Sequence, residues 1–195
     1  MAYLSTSELT AMGFAKVGKN VLVSNKASFY GCQHISLDDN VRIDDFCVLS
    51  AGEGGIRIGK NVHLAVYCML MGKGRITLED FSGLSSRVSI YSSNDDYSGF
   101  ALTNPTVPSE FTNVLHADVL LKKHVIVGSG AVILPGVTME QGSVAGALTL
   151  ISKKCEEFTI YSGNPARRVS ERKRNLLDKE VEFNKIFGYP DTRDL

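Results

Sequence analysis

The sequence predicts an all-β solenoid, a triangular prism of short parallel strands wound from six-residue repeats. Three observations lead there. Aliphatic residues recur every six positions over most of the 195 residues. Extra residues, two or three at a time, fall only after every third unit in the first half of the chain. Glycine is frequent, at 18, and tryptophan is absent, so no bulky aromatic core organises the chain. Self-similarity at a short fixed period marks stacked architectures, in which one repeat cannot bury its apolar face alone.

Taken in order, the first element is a short helix over residues 5–12 (STSELTAM), with Ser/Thr caps, Glu8 in the first turn and Gly13 closing it. It is placed to cap the open end of the prism. The repeat follows in groups of three: Val17, Val23 and Phe29; Leu37, Ile43 and Leu49; Ile58, Leu64 and Leu70; Leu78, Leu84 and Ile90; then Leu121, Val127 and Ile133; and Met139, Ala145 and Ile151. Three units close one coil, and each inward aliphatic sits over its counterpart in the coil below. The fifth position is also small or β-branched (Val41, Cys47, Val62, Cys68, Val88, Val125, Ala131, Val137), so two residues per unit fill the prism. Residues 96–120, with Gly99, Pro105, Pro108 and several aromatics, interrupt the repeat as a protruding loop. A loop that long in a compact solenoid points to function, and it is long enough to reach a neighbouring subunit. Residues 169–187 read as an amphipathic helix on Leu176, Leu177, Val181, Phe183 and Phe187. The division is a repeat domain over 1–168 and a helical appendage over 169–195.

Composition narrows the function. With 21 basic and 21 acidic side chains the chain carries no basic field to hold nucleic acid. No apolar run approaches the roughly 18 residues of a membrane span. Residues 1–10 lack the basic and apolar regions of a leader. The four cysteines form no CxxC pair, which speaks against a zinc site or a disulfide framework. The expectation is a reduced, cytoplasmic protein with no metal.

The hexads IGKNVH (58–63), VGSGAV (127–132) and ILPGVT (133–138), and the closing GNPAR (163–167), resemble the hexapeptide-repeat acyltransferases, and the stretch from 131 to 169 is similar to their galactoside and maltose O-acetyltransferase branch. The resemblance implies a left-handed parallel β-helix, where the usual crossover rule would favour the opposite hand. It also implies a homotrimer with sites between subunits, and acetyl-CoA as co-substrate. By position it assigns the pantetheine arm to Gly128, Ser129, Ala145, Gly146 and Ala147, and the adenosine phosphate to Lys153, Lys154, Arg167 and Arg168.

Acetyl transfer to a hydroxyl needs a general base, and histidine titrates near the working pH. The family's catalytic histidine would fall on Asp95, and no histidine lies between His63 and His116. His63, last in its hexad and pointing outward, is therefore the first candidate, with Asp95 or Asp96 to hold its ring. His116, at the return of the loop, is the next. Asn94 and Tyr97 complete an NDDY cluster suited to a sugar acceptor, although Asn and Asp also simply favour turns. His124 reads as a structural face residue, and Cys47 and Cys68 as core. The main reading is an O-acetyltransferase on a sugar or glycan-precursor hydroxyl, as in surface polysaccharide assembly. The alternatives are N-acetylation of a nucleotide-linked amino sugar and a non-catalytic hexapeptide trimer scaffold. A γ-type carbonic anhydrase lacks the histidine spacing it requires.

Overall fold

The computed structural model describes residues 2–188. It is a left-handed parallel β-helix, as the repeat and its resemblance predicted. Three parallel sheets form the faces of the prism. The first face stacks Lys16–Val17, Ile35–Leu37, Ile56–Ile58, Ile76–Leu78, Val119–Leu121 and Thr138–Met139. The second stacks Leu22–Val23, Arg42–Ile43, His63–Leu64, Gly83–Leu84, Ile126–Val127, Val144–Ala145 and Thr159–Ser162. The third stacks Ser28–Tyr30, Val48–Ala51, Met69–Gly72, Ser89–Tyr91, Val132–Ile133 and Leu150–Ile151.

Register explains the core. Each strand pairs with the one a full coil away, so like positions superimpose: Ile43 lies over Leu64, and Leu64 over Leu84. From Leu37 onward the inward residues and the fifth-position residues are both buried, while Val17 and Phe29 in the first coil are partly so. Their transfer from water, on the order of 25 cal/mol per Å² of apolar surface, is the main stabilising term.

The corners obey the same period. The fourth residue of a hexad turns the chain with positive φ, which costs a non-glycine residue roughly 1–2 kcal/mol. At one corner Asn20, Asn40 and Asn61 take this conformation, with φ of 55°, 58° and 56°. Their amides bond from coil to coil, Asn20 Nδ2 to Asn40 Oδ1 and Asn40 Nδ2 to Asn61 Oδ1, each at 3.1 Å. Asparagine tolerates this backbone, and the ladder offsets the strain.

Both ends are closed. The N-terminal helix spans Thr6–Ala11; Ser5 and Glu8 form a reciprocal capping box, and Leu9 is buried against the core. At the other end Arg167–Glu171 turns back antiparallel on Thr159–Ser162, and the C-terminal helix spans Leu176–Phe187. This corrects the helix expected from residue 169, because 167–171 finds an open sheet edge to pair with before helix can form. The loop also starts and ends on paired chain, with Ser93–Asn94 antiparallel to Leu115–His116, and the repeat has resumed by Val119. Among the described residues no helix is long and apolar enough to cross a membrane.

Candidate active site

The second face carries one outward residue per coil, and register puts Arg42, His63, Gly83, Ile126 and Val144 in a column. His63 stands half exposed, at 48% of its side chain. Its Nε2 donates to Asp44 Oδ2 at 2.8 Å, and Arg42 Nε donates to Asp44 Oδ1 at 2.7 Å. The Asp44 side chain is only 6% exposed. Burial alone would raise its carboxyl, but the bonds from Arg42 and His63 outweigh it and hold it below the ordinary carboxylate range. An ionised carboxylate only accepts, so Nε2 carries a hydrogen and the neutral ring presents its lone pair at Nδ1. That is the arrangement of an oriented base.

The ring partner is thus Asp44, not the Asp95 or Asp96 expected from the sequence. Asp44 lies 19 residues before His63, one coil away. No sequence motif marks this pair; it shows in the coil register, which puts Arg42 and His63 in one column.

His63 opens onto a shallow groove of about 480 Å³ that Gly83, Ser85, Ser86, Ile126 and Ser129 also line. The groove runs toward the later coils. There Gly128 packs so closely that an added Cβ would fall 2.5 Å from Ala147 N. The N–H groups of Gly128 and Gly146 already donate to Ala145 O and Tyr161 O, at 2.7 and 2.8 Å. These two glycines can therefore offer a ligand a flat contact surface but not donors. Among the last coils a separate cavity of about 430 Å³ gathers Lys153, Lys154 and Arg167 with Tyr161 and Pro165. Lys154 is also held by Glu140 at 2.8 Å. Arg168 does not line this cavity; it pairs with Glu171 at 3.3 Å.

The loop residues make their hydrogen bonds within the loop and at its base. Asp96 accepts from Ser98 N and Ala101 N, at 2.8 and 3.0 Å, so its carboxylate braces its own turn. The Ser98 side chain first, and then these backbone N–H groups, hold its pKa down. Asn94 Nδ2 donates to Asp95 O at 2.9 Å. Tyr97 and Phe100 project outward, 85% and 88% exposed. His116 Nδ1 lies 2.7 Å from Ser93 Oγ. Lys73 N also donates to Ser93 Oγ, and these bonds tie the base of the loop.

The remaining candidates are structural. His124 turns a corner with φ 61°, is 7% exposed, stacks on Phe81 and bonds Glu180 Oε2 at 2.7 Å. Cys47 and Cys68 are fully buried; the Cys47 thiol beside it, and then burial, push the Cys68 thiol far above the range of a nucleophile. Burial likewise raises Cys155 to about 12.

The prism thus carries an oriented histidine over an open groove on one face and a separate cationic cavity among its last coils. No family model matches the chain. It is 53% identical over 183 residues to a dTDP-4-amino-4,6-dideoxy-D-glucose acyltransferase of Escherichia coli, covering 94% of this chain and 95% of that one. The structure of AntD, an N-acyltransferase from Bacillus cereus in complex with dTDP and 3-hydroxybutyryl-CoA, superposes with a TM-score of 0.91 at 42% identity, covering 95% of this chain and 98% of that one. Galactoside acetyltransferase in complex with coenzyme A shares the fold, with a TM-score of 0.59 at 20% identity, covering 87% of this chain and 70% of that one. The chain belongs to the hexapeptide-repeat acyltransferases.

Proposed function

We propose that this protein moves an acyl group from a CoA thioester to the amine of a dTDP-linked 4-amino-4,6-dideoxyglucose, so that the product is an amide. The observation that carries this reading is the near full-length likeness to an enzyme acting on that sugar. It favours the N-acyl alternative over the O-acetyl reading drawn first from the motifs. The site chemistry agrees: an amine, once neutral, attacks a thioester more readily than a hydroxyl does, so a half-exposed histidine is base enough.

In this mechanism the CoA lies along the groove, with its phosphates at Lys153, Lys154 and Arg167 and its pantetheine past Ser129 and Ala147. The sugar nitrogen attacks the carbonyl carbon, His63 Nδ1 takes the nitrogen's proton, and Asp44 stabilises the imidazolium. Ser85 stands at the groove to meet the oxyanion of the tetrahedral intermediate. The C–S bond then breaks, and His63 returns the proton to the departing thiolate.

Asp95 holds the attacking amine, supplied by the loop of a neighbouring subunit in a trimer. The exposure of Tyr97 and Phe100 supports such a partner, because aromatic tips of this size gain by being covered. The variants solved for the Bacillus cereus protein replace a serine and an aspartate ten positions apart, a spacing that Ser85 and Asp95 have here, as do Ser86 and Asp96. His116 and Asp96 keep the loop's shape, and Asn94 and Tyr97 are left to contact the sugar.

The test is turnover of purified protein with acetyl-CoA and dTDP-4-amino-4,6-dideoxyglucose. Free CoA should appear together with a product that resists hydroxylamine, as an amide does. A hydroxylamine-labile product would restore O-acetylation, and no release of CoA with any acyl donor would sink the transferase reading.

A further inference from the structure

Glycine in this chain is nearly always forced by the chain itself. Of the 18 glycines, every one except Gly83 has either a left-handed φ or a heavy atom within 3.2 Å of where a Cβ would stand. Gly83 has neither, and nothing lies within 4 Å of its missing Cβ. It is an ordinary strand residue: its N–H donates to Val125 O at 2.9 Å, and it pairs with His63 on one side and Ile126 on the other. A glycine inside a strand costs roughly 0.5–1 kcal/mol relative to alanine. Where the fold does not require it, it marks a place that something must approach closely.

The position of the gap says what approaches. Gly83 opens a notch in the second face between the His63 ring and the side chain of Ile126, which is 41% exposed. The cationic cavity and Ser129 belong to later coils, and His63 to the coil before. A thioester carbonyl brought to His63 along the groove from Ser129 passes the strand Gly83–Leu84. One wall of the notch is apolar and the other is the base.

We infer that Gly83 is the specificity-determining residue for the acyl group: its absent side chain is the slot in which an acyl chain longer than acetyl lies, against Ile126. The inference rests on the acyl-transfer reading above and adds the donor preference to it. Acetyl needs little of the slot, whereas a four-carbon chain fills it.

The experiment compares wild type with Gly83→Ala and Gly83→Val, both compatible with the backbone at this position. Transfer to the amino sugar is measured from acetyl-CoA, butyryl-CoA and 3-hydroxybutyryl-CoA, with calorimetric titration of CoA and butyryl-CoA and the solution mass of each variant. The expected result is a kcat/KM for the four-carbon donors that falls about tenfold or more beyond any fall for acetyl-CoA in Gly83→Val, and less in Gly83→Ala. Butyryl-CoA binding weakens in step while CoA binding holds. An equal loss for all donors with a raised sugar KM would assign the notch to the acceptor and overturn the inference. So would a weakened affinity for CoA itself, a variant that no longer assembles, or donor ratios that do not move. Wild type inactive with every donor would defeat the transferase reading instead, and the butyryl-CoA titration would still judge the slot.

Discussion

Two histidines in this chain bind a carboxylate through Nε2, and they sit in opposite surroundings. His63 meets Asp44 at 2.8 Å with its side chain 48% exposed, while His124 meets Glu180 at 2.7 Å with both side chains only 9% exposed. The first pair stands over an open groove. The second is packed between Phe81, whose ring stacks on it at 5.3 Å, and the C-terminal helix, whose Phe183 meets Phe81 edge-on at 5.5 Å. Lys123 joins the second pair at Glu180, and Arg172 donates to the His124 carbonyl at 2.6 Å. Residue type and hydrogen bond are nearly the same; access decides the role. An oriented ring that solvent and ligand can reach is able to move a proton, and an oriented ring sealed under a helix can only hold that helix down.

The widest separation between the pairs should come from removing the rings. His63→Ala is expected to lower acyl transfer about 10²- to 10⁴-fold with little change in melting temperature. His124→Ala should leave turnover within a few-fold of wild type. Equal rates for the two variants would erase the distinction and move the base to the loop. Next in size is Asp44→Asn, expected to lower kcat on the order of tenfold. That is short of the ~10⁴ lost when a fully buried triad aspartate is replaced, because the His63 ring is partly solvated. A change in KM alone would make Asp44 a residue of the fold and not of the chemistry.

On the sealed side, Glu180→Ala leaves the buried His124 without its partner. The expected cost is about 1–3 kcal/mol, seen in thermal unfolding as a fall of roughly 2–4 °C per kcal/mol, with kcat kept. An unchanged melting point would show that the stacked rings hold the helix unaided.

Asp44 also gives a pH signature. Its folded pKa lies below the ordinary 3.8, so its pairing stabilises the fold above that pH and the contribution is lost as pH falls through the lower folded value. The stability difference between wild type and Asp44→Asn should therefore be full near neutrality and close below 3.8. A gap that persists in strong acid would mean packing, not charge, supplies it. The smallest effects belong to exposed cations: Lys153→Ala or Arg167→Ala should raise the donor KM about two- to fivefold each, and Arg168→Ala should not.

Much of the fold was legible because its cause is local in period. Val23, Ile43, Leu64, Leu84 and Val127 were placed inward from spacing alone, and all are buried. The capping box at Ser5 and Glu8 was readable for the same reason, since its partners stand three residues apart. The C-terminal boundary was not. Residues 169–171 have helical company in the sequence, and only the unpaired edge at Thr159–Ser162 draws them into a strand. The candidate site divides the same way. His63 could be picked out because the hexad fixes which residues face outward. Its partner could not, because Asp44 reaches it by lying one coil below, at a sequence distance that no motif records. Gly83 stands out only when the other glycines are accounted for by φ or by contact.

The sequence by itself determined the prism, the inward columns, the interrupting loop and the acyltransferase family, because a six-residue period and its punctuation are written in consecutive residues. Only the tertiary structure decided which histidine is open and which is sealed, which carboxylate orients each, and where a missing side chain leaves room. Those are properties of residues stacked some twenty positions apart. Their distances, burial and electrostatics exist only once one coil has closed on the next.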